Sequence, residues 1–127
     1  MTDLLTRALD HHKCEEFAKA RKLYRKLLRA DPGSVDALHL LGVTLGQQER
    51  YLEGINYMRQ ANELNPEAAI IRGNLVRAHF AYATKLFGEG RLDTAIHHYR
   101  EVLRLNPKAA KARSSLCMCL THTDRPR

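Results

Sequence analysis

DALHLLGVTLGQQERYLEGINYMRQANELNP, residues Asp36–Pro66, decides the fold. It reads as two helical halves around a short polar break at Glu49–Arg50, and it closes on a proline. The first half runs from a capping Ser34 to about Gln48, with Asp36 in the first turn where the helix dipole favours a negative charge. The second half, Tyr51–Leu64, places Tyr51, Ile55, Met58, Ala61 and Leu64 on one stripe, which predicts an inward face.

The same plan recurs on both sides. Pro32, Pro66 and Pro107 stand in the contexts ADP, LNP and LNP, and the first two are 34 residues apart. Twelve residues before each proline lie Ala20, Gly54 and Ala95, and twenty-four before lie Ala8, Gly42 and Ala83. Eight before lie Tyr24, Met58 and Tyr99. Small residues thus recur where two helices must approach closely, and large ones where a core must be filled.

This pattern resembles the tetratricopeptide repeat (TPR), a helix–turn–helix unit of 34 residues. The matching elements are LLG at Leu40–Gly42, the small residue at Ala20, Gly54 and Ala95, the bulky residue at Tyr24, Met58 and Tyr99, and the closing proline. The resemblance implies an all-α fold, an α-solenoid of three TPR helix–turn–helix repeats plus a C-terminal capping helix. The expected division is a single domain over 1–127, with repeats at about 1–34, 35–68 and 69–107, a capping helix at about 108–121 and a frayed tail at 122–127.

The third repeat is irregular. Pro66 and Pro107 are 41 residues apart, seven more than the first spacing. Seven residues are two helical turns less about 20° of drift. The insertion therefore lengthens the first helix of the repeat, about Glu67–Phe87, without turning its buried face off the core. Thr2 or Asp3 can cap the first helix of the chain, which runs to about Lys13. The second helix, about 16–30, pairs an apolar stripe at Phe17, Ala20, Leu23, Tyr24, Leu27 and Leu28 with a cationic face from Lys19 to Arg29.

Composition narrows the function. The 127 residues carry 21 Lys+Arg against 14 Asp+Glu, a net charge of +7. Residues 1–34 and 69–107 are each +3, residues 108–127 are +4, and the middle stretch 35–68 is −3. Such an imbalance favours polyanions or acidic protein surfaces at long range without specifying one. No apolar run approaches the roughly 20 residues of a membrane span, and Asp3, Arg7 and Asp10 interrupt any secretory leader, so a cytoplasmic location is expected. Cys14, Cys117 and Cys119 form no C-x-x-C and are odd in number, which argues against a disulfide framework or a zinc ribbon. They read as small buried or half-buried thiols.

Nothing in the chain reads as a catalytic or cofactor motif: there is no G-x-S-x-G, P-loop, G-x-G-x-x-G or H-E-x-x-H. No enzyme activity, cofactor or metal site is therefore expected. The pairs His11-His12 and His97-His98 read as surface histidines, because adjacent helical residues diverge by about 100°.

The TPR resemblance implies a protein–protein interaction module. First helices of successive repeats line a concave groove suited to an extended peptide or a partner helix. Helical phase places Leu5, Leu9 and His12 on that side, then His39, Val43 and Gln47, then Arg77, Phe80 and Thr84. Asn74 falls where many members carry an asparagine that hydrogen-bonds a ligand's backbone. Chaperone-binding members hold a C-terminal carboxylate in a clamp, but the matching positions here are Leu5, Leu9, Leu40, Arg77 and Ala81, and only Arg77 is cationic. That activity is not expected.

Two alternatives stand beside this reading. One is a targeting segment of a transferase-type enzyme whose catalytic domain is elsewhere. The other is nucleic-acid or polyanion binding through the basic stretches Lys19–Arg29 and Lys108–Arg127, which the scarcity of stacking aromatics disfavours. The apolar Leu4, Leu5 and Leu9 also make self-association through the solenoid ends an expectation.

Overall fold

The computed structural model describes residues 2–123, with side chains from residue 4 onward. Its described residues form seven helices: α1 (Thr2–Lys13), α2 (Phe17–Ala30), α3 (Val35–Gln47), α4 (Tyr51–Leu64), α5 (Ala69–Gly88), α6 (Leu92–Leu105) and α7 (Ala110–Thr123). They make three helical hairpins and a closing helix, an all-α fold of the solenoid class. The side chains of Thr2 and Asp3, expected to cap α1, and the tail residues 124–127 lie outside what is described. α7 starts two residues later than expected and continues to Thr123, so residues 122 and 123 are helical. α5 is 20 residues long against 12–14 for the others. At 1.5 Å per residue that is about 30 Å of helix.

One turn is used inside every hairpin. Glu15, Glu49 and Gly90 adopt left-handed backbone angles, φ 59°, 61° and 78°. The next residue's amide then reaches back five residues: Glu16 N–H to the His11 carbonyl at 2.8 Å, Arg50 to Leu45 at 2.9 Å, and Arg91 to Leu86 at 2.9 Å. Such a bond satisfies a carbonyl that the helix end would leave bare. Only the third hairpin uses glycine there; the other two hold a glutamate in a region that disfavours a Cβ.

Between hairpins, Asp31, Asn65 and Asn106 each donate their amide to the carbonyl four residues earlier, and their own carbonyls accept from Ser34, Ala68 and Ala109. Two of these side chains also fold over the turn, Asp31 Oδ1 accepting from Gly33 N–H and Asn106 Oδ1 from Lys108 N–H. Ser34 caps α3 as expected, its Oγ accepting from Ala37 N–H at 3.3 Å. In the later turns an arginine performs a different closure: Arg72 donates to the Pro66 carbonyl at 3.1 Å and Arg113 to the Pro107 carbonyl at 2.7 Å.

The chain divides into two compact units, Met1–Leu75 and Val76–Arg127, and the boundary falls inside α5. The core of the first unit holds Ala8, Ala20, Tyr24, Leu41 and Leu45, with a second cluster of Leu38, Ala61 and Ile71. The core of the second holds Ala83, Leu86, Ala95, Tyr99, Val102 and Cys119. All six small residues of the register are buried. At Gly42 and Gly54 the reason is backbone contact. A Cβ on Gly42 would stand 2.8 Å from the Gly54 carbonyl oxygen and 2.5 Å from Met58 Cγ, and one on Gly54 would stand 2.7 Å from the Gly42 carbonyl oxygen.

Leu64, Cys14 and Cys117 differ from expectation. Leu64 is 55% exposed, because it is the last residue of α4 and lies beyond Ala61, where the packed stripe ends. Cys14 and Cys117 are exposed, and only Cys119 is buried.

Candidate partner-binding surface

In the first unit, Leu9, His12 and Val43 are half-buried and Gln47 is exposed. His12 Nδ1 lies 3.2 Å from Thr44 Oγ1, and its ring meets Phe17 edge-on at 5.7 Å. Thr44 Oγ1 also donates to the Leu40 carbonyl at 2.8 Å, so His12 Nδ1 is the donor of the other bond. His39, expected at the surface of the groove, is buried. Its Nε2 accepts from Asn74 Nδ2 at 2.8 Å. Burial lowers the His39 pKa, opposed in part by Asp36. The imidazole is therefore neutral at pH 7 and can accept the amide proton. Asn74 thus spends a donor within the fold and keeps its carbonyl oxygen.

In the second unit, Phe80 packs edge-on against Tyr99, ring centroids 5.7 Å apart. Thr84 Oγ1 donates to the Phe80 carbonyl at 2.9 Å and accepts from Tyr99 Oη at 3.0 Å. Arg77 is exposed. A depression of 370 Å³ is lined by Val76, Arg77 and Phe80 of α5, Val102 of α6, and Ala110 and Lys111 at the start of α7. Its floor is apolar and its rim carries two cations, a combination that accepts an apolar side chain next to a carboxylate. The expected residues Arg77 and Phe80 thus share one concavity, while Thr84 is bound to Tyr99.

Sequence reasoning missed a buried pair in this unit. His79 Nδ1 and His98 Nδ1 are 2.9 Å apart, both imidazoles being buried. Burial and the neighbouring His98 push the His79 pKa down to about 4; Glu101 opposes this. Burial, then His97, also lowers that of His98. One neutral ring donates and the other accepts. His98 is therefore no surface histidine, although His97 is exposed. No residue pattern signals a partner nineteen positions away; it depends on how α5 and α6 align.

Among the described residues no group of three or more His, Cys, Asp or Glu is placed to hold a metal ion, and no helix is long and apolar enough to cross a membrane.

Paired helices with small residues at their crossings and a closing helix define a class of protein–protein interaction scaffold. The tetratricopeptide repeat profile matches residues 5–61 and 83–126, and the chain belongs to that family. It is 31% identical over 106 residues to the transcriptional regulator HilA of Salmonella typhimurium, a match that spans 83% of this chain and only 18% of HilA. Among solved structures it is similar to an O-GlcNAc transferase mutant of Thermobaculum terrenum, with a TM-score of 0.59 and 25% identity over 94% of this chain and 22% of the transferase. It is also similar to the first TPR of Spaghetti (RPAP3), a structure bound to the HSP90 peptide SRMEEVD. The TM-score there is 0.61, with 18% identity over 98% of this chain and 93% of that one.

Proposed function

We propose that this chain is a non-catalytic module that binds a peptide or partner helix, with the Val76–Phe80 and Ala110–Lys111 depression as the main seat. The observation that carries the reading is that depression itself: an apolar floor beside the cations Arg77 and Lys111. That a TPR domain of similar fold is seen with a peptide supports the class of ligand. In the first unit, Leu9, His12, Val43, Gln47 and Asn74 are assigned to partner contact on the same reading, and buried His39 is not. Asn74 there acts as an acceptor for a ligand N–H, since His39 already holds its amide. His39 acts by orienting Asn74. Thr84 contributes by holding Tyr99 and, through it, Phe80.

The partner's chemistry differs from the SRMEEVD type of ligand in one respect. With Arg77 as the single cation among the clamp positions, a carboxylate clamp is not part of this proposal. A cytoplasmic location accompanies the proposal.

The test is affinity capture from the source cell with the full chain and with Arg77→Glu. Arg77 is exposed, whereas Phe80 is part of the core packing, so the arginine change is the cleaner one. The expected result is loss of a captured partner at unchanged helicity. Equal capture by both proteins would refute the assignment.

A further inference from the structure

α2 carries Lys19, Arg21, Lys22, Arg25, Lys26 and Arg29 and no acidic residue. Lys19 is paired with Glu16 at 2.9 Å. Arg25 and Arg29 form no ion pair or hydrogen bond among the described residues. Both border a cleft of 400 Å³ between α2 and α4, floored by Leu28, Leu38 and Tyr57. Across the cleft Gln60 offers an uncharged amide. One turn before Arg25, burial lowers the pKa of Arg21, and Arg50 and Arg25 lower it further against an opposing Glu53. Arg21 Nε is buried without a hydrogen-bond partner.

We propose that this α2–α4 cleft is a second docking site, taking an acidic peptide segment that carries one apolar anchor. Arg25 and Arg29 are one helical turn apart, about 6 Å between Cβ atoms. They match two carboxylates of similar separation, while Leu28 and Leu38 take the apolar side chain. A phosphodiester strand fits less well. The cations stand on one side only, and the aliphatic floor has no counterpart on a sugar–phosphate backbone. This site shares no lining residue with the α5–α7 depression and does not depend on it.

The probe is a fluorescein-labelled heptapeptide of Glu and Asp with a central Phe, followed by anisotropy on the full chain. Arg25→Glu/Arg29→Glu is expected to weaken it about tenfold or more. Lys22→Glu/Lys26→Glu, an equal charge change on residues that do not line the cleft, is expected to shift affinity less than about threefold. Arg25→Gln/Arg29→Gln gives the same ordering should the reversal disturb folding. Arg77→Glu is expected to leave this probe unaffected, which separates the two sites. Replacing the peptide's Phe by Ala is expected to weaken binding. Equal losses at the two α2 pairs, or an oligothymidylate that competes as well as the peptide and is indifferent to the apolar anchor, would overturn the proposal in favour of a general polyanion surface.

Discussion

The second and third hairpins solve one packing problem in two ways. In the first unit, α3 and α4 meet backbone to backbone at Gly42 and Gly54, where either added Cβ would fall under 3.0 Å from the other's carbonyl oxygen. In the second unit the same register holds Ala83 and Ala95, both fully buried. There the two helices are also tied by polar pairs, His79 with His98 and Thr84 with Tyr99. The register position is shared, but its chemistry is not. A glycine crossing gains contact area at a cost in helix propensity. An alanine crossing keeps propensity, and hydrogen bonds add specificity.

The largest expected effect separates these crossings. Gly42→Ala should destabilise by about 2 kcal/mol, because backbone oxygen cannot yield and overpacking outweighs the propensity gain. The reverse change at the matching place, Ala83→Gly, should cost about 1.5 kcal/mol through lost propensity and the loss of a buried methyl. Urea melts of the two variants check the ordering. If Gly42→Ala is neutral, the glycine contact does not set the spacing.

pH should sharpen the comparison next. The folded pKa of His79 is depressed to about 4, below the ordinary 6.5. The unfolded chain therefore binds more protons between those values, and stability falls as pH drops through that window. At pH 7 the contribution is fully present. Thermal melts at pH 7.5 and 4.5 should show the midpoint lower in acid by roughly 5 °C. His79→Phe with His98→Leu should flatten part of that dependence. His39 in the first unit, also depressed, contributes to what remains.

The smallest effect lies in the turns. Glu49 holds φ 61° where the third hairpin uses Gly90 at φ 78°. Glu49→Gly should stabilise by about 0.5–1 kcal/mol, read from a urea midpoint, since a left-handed residue without a Cβ carries no clash.

Much of the fold was legible in the residues. Proline spacing and the apolar stripes place every helix to within two residues, and the seven-residue excess marks α5 as the long one. Small residues at a fixed register identify the crossings, because close approach admits nothing larger. Less of the surface was legible. His79–His98 and His39–Asn74 depend on which turns of two helices face each other, a matter of angstroms that spacing does not encode. The arginines closing onto Pro66 and Pro107 reach six residues back from inside the next helix, a contact set by side-chain length. Leu64 shows the opposite error. Its phase is right for burial, but α4 ends there and nothing covers it.

Where a partner lands on the chain is the most direct test. Backbone amide NMR shifts, followed while the contact segment of a captured partner is added to the full chain, measure this. The account predicts the largest shifts at Val76–Phe80 and at Ala110–Ala112, removed by Arg77→Glu. Saturable binding that leaves those amides unmoved would contradict it.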